Sequence, residues 1–480
     1  MNADTRISQM IDIGSLPPRT GIAKLLGEWG LVLMLCVAVL APGITLTPTL
    51  PQFRAETLML VAYWALFGWL LLAGFAKPVR FNAFYVIGFL FALSVTVSLI
   101  YGTRILNHEL ILRDFYEIPK CWMPVWFFTI AYEAEVSEKG LNRLLNYFAV
   151  AIVLVCLYGC AQFLNLGIAA RLNPYYTDFG HNYEGLIRYN RIFSTMANPN
   201  ALGQLLSWTL SIYVLAFLFG VGSRARNVCI SVMCAATAAL TSSRYALLAS
   251  GLGLLIVMWL SMSARRRRAK LIGLVIVLAV LVPVFALTAQ SSYWGAGRLM
   301  QLNNPLQVDS LRGRLDVLWV DAADSFLSSP WVGHGPAKTM FANIFTDSEY
   351  LNVLKFYGVI GFVIYLAYYL WPLKEIFRGL KRLPYLSHRL EERLGATLLV
   401  MRAGFTIFCV ALFMNLGEFT FYNAFLLAFL WLWGGLAVRA AHLVTEIEAQ
   451  DSIYSVSIDR PPVFVQLPNR PALQLSRGKS

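Results

Sequence analysis

Apolar runs of about 18–22 residues with little or no charge recur along the whole chain. Each is long enough to cross roughly 30 Å of hydrocarbon as an α-helix. In lipid every backbone N–H and C=O must be satisfied within the protein, and a helix does this segment by segment. Hydrophobic residues fill 58% of the 480 positions and charged residues only 14%, a balance that would drive a water-soluble domain to aggregate. The sequence therefore predicts an all-α polytopic membrane protein.

Twelve spans are expected, near 28–46, 57–75, 82–102, 119–134, 145–166, 200–221, 227–242, 245–262, 270–289, 351–372, 395–416 and 419–438. The polar residues 1–27 lead into a full-length span, which is not the pattern of a cleavable signal peptide. The organisation expected is a cytoplasmic segment 1–27, nine spans within 28–289, a loop subdomain at 290–350, three spans within 351–444, and a disordered cytoplasmic tail at 445–480. With twelve spans, Lys77, Arg80, Lys139, Arg143, Arg224, Arg226, Lys374, Arg378, Lys381 and Arg382 all fall on one face. That face is expected to be cytoplasmic, because loops rich in lysine and arginine stay inside.

The formal net charge of +13 has the same explanation. Its densest cluster, Arg265–Arg268 with Lys270, sits between two apolar runs as a cytoplasmic loop would, so no nucleic-acid partner is implied. The seven cysteines lie in or beside apolar runs without metal-ligand spacing. Cys156 and Cys160, one helical turn apart, read as small packing residues, and neither a metal nor a cofactor is expected.

Two long connections, about 167–199 and 290–350, fall on the opposite, outer face, and chemistry is expected there. In the first, Arg191 precedes Asn198-Pro199-Asn200, where Asn-Pro marks a capped helix start. In LTSSRYALLAS, Arg244 stands at the outer turn of a tight helical hairpin. An arginine so placed is costly unless it faces a partner or a wet cavity, and guanidinium matches phosphate oxygens in a bidentate fork.

The second loop holds Arg312 and Arg314, and its segment RGRLDVLWVDAADSFLSSPW spaces Leu315, Leu318, Trp319, Ala322 and Ala323 as one helix face. Then come PWVGHGP with His334, and Asp347 and Glu349 at the threshold of the next apolar run. His334 suits a base or a turn hydrogen bond, and the turn is the simpler reading. Glu418 in NLGEFTFYN is a further acid at the membrane edge. Arginines and carboxylates gathered on one face suggest phosphate recognition beside a general base.

The ordered motifs NPN at a span start, SSR-x-ALLA, R-x-R…W…P-W-x-G-x-GP and D-S-E-Y-L…G-V-I-G, over about residues 190–370, resemble the O-antigen ligase and polymerase superfamily. The resemblance implies a GT-C-like glycosyltransferase of about a dozen helices, in the bacterial inner membrane, with a large periplasmic loop. Such enzymes pass glycan from undecaprenyl pyrophosphate to an acceptor hydroxyl without a metal. Carried over, Arg191 and Arg244 grip the pyrophosphate and Arg312 or Arg314 assists; a base would have to come from Asp347 or Glu349, and Asn200, Tyr350 and Glu418 are further candidates to line the substrate. On a helix the two acids would lie about 200° apart, so only one is expected to face the site.

Ligases of the family carry His-Asn where this chain has Asp347-Ser348, and His334 falls elsewhere, in the G-x-GP turn. This favours a polymerase of O-antigen, capsule or exopolysaccharide over a ligase acting on lipid A-core. The implied partners are lipid-linked oligosaccharide, membrane lipid and a chain-length regulator. A flippase or secondary transporter would be expected to show internal repeats and midplane polar positions, and no clear repeat is visible between the halves.

Overall fold

The computed structural model describes residues 21–44, 53–74, 79, 81–134, 136–177, 181–196, 198–262, 317–336, 346–386, 388–418, 420 and 423–458. Among these, α1 (Gly21–Leu40) is followed by a two-residue antiparallel pairing of β1 (Gly43–Ile44) with β2 (Phe53–Arg54). Next come α2 (Ala55–Leu72), α3 (Ala83–Arg104), α4 (Glu117–Glu133) and α5 (Glu138–Phe163). Two short helices, α6 (Gly167–Tyr176) and α7 (His181–Tyr189), precede α8 (Pro199–Phe219), α9 (Arg224–Leu240) and α10 (Arg244–Met262). The later elements are α11 (Trp319–Ser328), α12 (Glu349–Arg382), α13 (His388–Arg393), α14 (Gly395–Met414) and α15 (Ala424–Ile458).

Eight of these helices are long and apolar enough to cross a membrane, and the fold is an all-α polytopic membrane protein. Described helices occupy every expected span except the ninth, 270–289, which lies outside the described residues. The two largest boundary differences are C-terminal. Helix α12 runs ten residues past the expected end at 372, and α15 continues to Ile458, into the stretch expected to be a disordered tail. Apolar length marks only the part of a helix that lipid requires, and TEIEAQ beyond Val444 is rich in residues that propagate a helix in water.

The helix ends sort into two sets. At one end Thr195 Oγ1 donates to the Val39 carbonyl at 2.6 Å, Tyr176 Oη donates to that of Leu40 at 2.8 Å, and the backbone of Gly102 abuts that of His334. At the other, Arg143 pairs with Glu28, Arg382 pairs with Glu448, and Glu138 accepts the N–H groups of Ala396 and Thr397. Between them α4, α12, α14 and α15 pack around an aromatic core in which Trp431 meets Phe84, Tyr368, Tyr369 and Phe408.

Helix α12 is broken at Gly358, whose φ of 63° and ψ of −170° are open in practice only to glycine. The segment PWVGHGP lies along the break and exchanges backbone hydrogen bonds with it. His334 N–H donates to the Lys355 carbonyl at 3.0 Å, and Gly335 N–H to that of Phe356 at 2.8 Å. In return Val359 N–H donates to the Pro330 carbonyl at 2.8 Å. A Cβ on Gly333 would meet the Phe356 backbone at 2.4 Å, and one on Gly358 the Trp331 carbonyl at 2.3 Å. The glycines of G-x-GP and of the later GVIG are therefore two sides of one backbone contact. The Lys355 and Phe356 carbonyls and the Val359 and Ile360 N–H groups at the break thus find partners, as a low-dielectric interior favours.

Candidate active site at one end of the bundle

The segment after α7 is held by amides and hydroxyls. Gln162 Oε1 accepts the N–H groups of Phe193 and Ser194 at 3.2 and 2.7 Å, and Ser194 Oγ donates to the Val155 carbonyl at 2.7 Å. From this pinned strand the half-buried Arg191 reaches across, with Nε 3.4 Å from the Thr241 carbonyl and Nη2 3.4 Å from Asn200 Oδ1. Asn198 caps α8 as expected, its Oδ1 accepting Asn200 N–H at 2.8 Å with Pro199 at the first helical position. Asn200 Nδ2 donates to Glu418 Oε1.

The hairpin between α9 and α10 turns through Thr241, Ser242 and Ser243, with Ser242 at a φ of 50°. Ser243 Oγ accepts Ala246 N–H at 3.2 Å, and Arg244 opens α10, half-buried. Gly203 lets α8 approach Ala246, and Ser207 Oγ donates to the Ala246 carbonyl at 2.9 Å, so α10 is strapped to α8. The Tyr245 ring lies against Gly417. The turn carrying Arg244 is thus flanked by the Arg191 segment on one side and the 415–420 turn on the other.

That second turn also receives the start of α12. Glu349 is fully buried and its carboxylate is pinned: Oε1 accepts Tyr365 Oη–H at 2.5 Å and Oε2 accepts Thr420 N–H. Tyr365 Oη in turn accepts Asn415 Nδ2–H at 2.9 Å, and Thr420 Oγ1 accepts Gln204 Nε2–H at 2.9 Å. Asp347 precedes the helix, on a loop closed by Asn352 Nδ2 donating to the Thr346 carbonyl at 2.7 Å, with Ser348 as cap. It remains half-exposed at the rim. Tyr350 Oη donates to the Leu412 carbonyl at 2.5 Å.

The structure therefore gathers Arg191, Asn200, Glu418, the Arg244 hairpin and Glu349 around one polar seam, with Asp347 at its edge. Arg312 and Arg314 lie outside the described residues. His334 is not built as a base. Its Nε2 faces the Ser325 carbonyl at 2.7 Å and so carries the proton, and its Nδ1 then accepts from His108 Nε2 at 3.1 Å. Burial holds the His334 imidazole below its ordinary value; the Ser325 carbonyl opposes that shift and the Lys355 ammonium adds to it. His108 is also lowered, by burial and by His334. The turn expected for GHGP is what forms.

Sequence reasoning missed Gln162, Gln204, Thr420 and Tyr365, whose partners lie far away in the chain. It also passed over Lys355, a fully buried lysine in the apolar run, where an intramembrane charge was a usable signal.

No curated protein matches the chain. A family model described as O-antigen ligase matches residues 229–366. The match covers less than a third of the chain, from α9 through the Arg244 hairpin and the broken start of α12, and stops short of Glu418. That match, joined to the polytopic helical fold, supports a likeness to the O-antigen ligase/polymerase superfamily.

Proposed function

We propose that this protein is a polymerase of bacterial surface polysaccharide, moving glycan from undecaprenyl pyrophosphate to a hydroxyl of another lipid-linked repeat unit. The observation that carries the reading is the convergence of Arg191, the Arg244 hairpin and the start of α12 at one end of the bundle. In the reaction the bond between the anomeric carbon and the phosphate oxygen breaks as the acceptor oxygen bonds that carbon. Negative charge grows on the leaving pyrophosphate, and guanidinium groups fixed at Arg191 and Arg244 stabilise it. The acceptor proton passes to Asp347. Glu349, with both oxygens engaged, braces the helix start instead. The site faces the periplasm in this reading, because the opposite end carries the lysine- and arginine-rich loops.

A ligase acting on lipid A-core remains the second reading, from the family name alone; Asp347-Ser348 in place of His-Asn favours the polymerase. The test is in vitro polymerisation of lipid-linked repeat units by the protein in nanodiscs. Arg244→Ala is expected to lower turnover by about 10²–10³-fold, and Asp347→Asn by about 10²–10⁴-fold, at unchanged protein level. Polymer of normal length from Arg244→Ala would remove that residue from the mechanism. In cells, a deletion strain that keeps single repeat units on the acceptor marks a polymerase, and one that keeps none marks a ligase.

A further inference from the structure

Helix α6 presents an apolar face that no other described element covers. Ile168, Leu172 and Tyr175, at helical spacing, are exposed, Ile168 by 62% and Tyr175 by 63%, with Arg171 on their flank. The opposite flank is anchored: Ala169 and Asn173 are buried against the bundle.

What covers the exposed face is indicated by the helix before it. Along α5 the residues Tyr147, Val150, Leu154 and Leu157 form an exposed stripe at spacings of three and four, the lipid-facing side of a membrane-crossing helix. The stripe does not stop where α5 ends. Leu164 and Leu166 extend it through the turn, and Ile168, Leu172 and Tyr175 carry it onto α6. Exposed apolar residues thus recur from the span, through the turn, onto the short helix.

We infer that α6 lies in the membrane interface at the site end of the bundle, its Ile168–Leu172–Tyr175 face sunk among the upper acyl chains and headgroups. An amphipathic helix with an aromatic residue and a flanking arginine suits that boundary. The helix is also wired to the site. Asn173 Oδ1 accepts Tyr158 Oη–H at 2.9 Å and Gln162 Nε2–H at 2.8 Å. The other end of the Gln162 amide holds Phe193 and Ser194, two and three residues from Arg191. The interfacial helix therefore sets the height of Arg191 relative to the lipid phosphates. This last link alone rests on the proposed function; the membrane placement does not.

The experiment labels Ile168→Cys, Tyr175→Cys and Ala170→Cys with an environment-sensitive fluorophore, in full-length protein whose seven native cysteines are replaced. The protein is held in nanodiscs of phosphatidylethanolamine and phosphatidylglycerol at three to one. The expected result is that labels at 168 and 175 are quenched by nitroxide lipids and shielded from iodide, with the reverse at 170. Iodide quenching of 168 and 175 as strong as at 170 would overturn the placement. So would shielding from both quenchers, which would mean that a second copy or another protein covers the face.

For the link to Arg191, Leu172→Asp is expected to lower kcat/KM for a long-chain lipid-linked donor by roughly tenfold while sparing a short-chain soluble donor. Equal loss on both donors would break that link. An active Arg191→Ala would instead break the reading of the site.

Discussion

The two ends of this bundle are held together by different chemistry. At the end away from the site several links are ion pairs with half-exposed arginines, Arg382 with Glu448 at 3.1 Å and Arg143 with Glu28. At the site end the links are buried and mostly neutral, amide to carbonyl and hydroxyl to carboxylate, around buried charges such as Glu349. Exposed pairs are screened by water and salt and hold position only loosely. Buried groups that satisfy one another fix geometry, since each partner removed leaves a polar atom stranded. One end tolerates sequence change, and the other holds atoms in place.

The sharpest way to break the site end is through its backbone. Gly358→Ala places a Cβ at a φ of 63° and against the Trp331 carbonyl, so a loss of about 3 kcal/mol or more is expected, read as a fall in thermal midpoint. Glu349→Leu comes next, because it strands the Tyr365 hydroxyl and the Thr420 N–H, at about 1–3 kcal/mol each. Glu349→Gln keeps one of the two acceptor oxygens and is expected to recover part of that midpoint, along with measurable turnover. If Glu349→Gln were instead inactive while Asp347→Asn kept its turnover, Glu349 and not Asp347 would be the base.

Acidification is a milder probe. His334 and His108 both sit below the ordinary value near 6.5, so the folded protein binds fewer protons there than the unfolded chain. Their contribution is fully present above about pH 6.5 and is lost as pH falls through the lowered folded values. The denaturation midpoint should drop between neutral and mildly acidic buffer, and His334→Asn should flatten that drop. The smallest effect is expected at the other end: Arg382→Ala should change stability by less than about 1 kcal/mol. A larger shift in the unfolding curve would erase the contrast between the ends.

Much of the fold was readable because lipid imposes a length on every helix. The cap at Asn198-Pro199 was readable because its hydrogen bond is local. The break at Gly358 was not, since GVIG inside an apolar run looks like any small-residue stripe until the chain that lies against it is known. The same holds for the two acids. A helical reading sets them about 200° apart, but Asp347 lies on the loop before α12, and the pinning of Glu349 depends on Tyr365 and Thr420, 16 and 71 residues away. Gln162 and Gln204 gave no signal, as a glutamine in a span shows neither period nor motif, only a cost that some distant partner must offset.

The exchange of backbone bonds at Gly358 also constrains how the protein is assembled. Residues 330–335 are synthesised before α12, yet their hydrogen-bond partners do not exist until Lys355 through Val359 have followed. The earlier helix α3 offers a place to wait, since Ser98 Oγ donates to the Val332 carbonyl at 2.5 Å and Gly102 leaves room for His334. Insertion of α12 then joins three stretches that are far apart in the chain, and the start of the site helix takes its position in that same step.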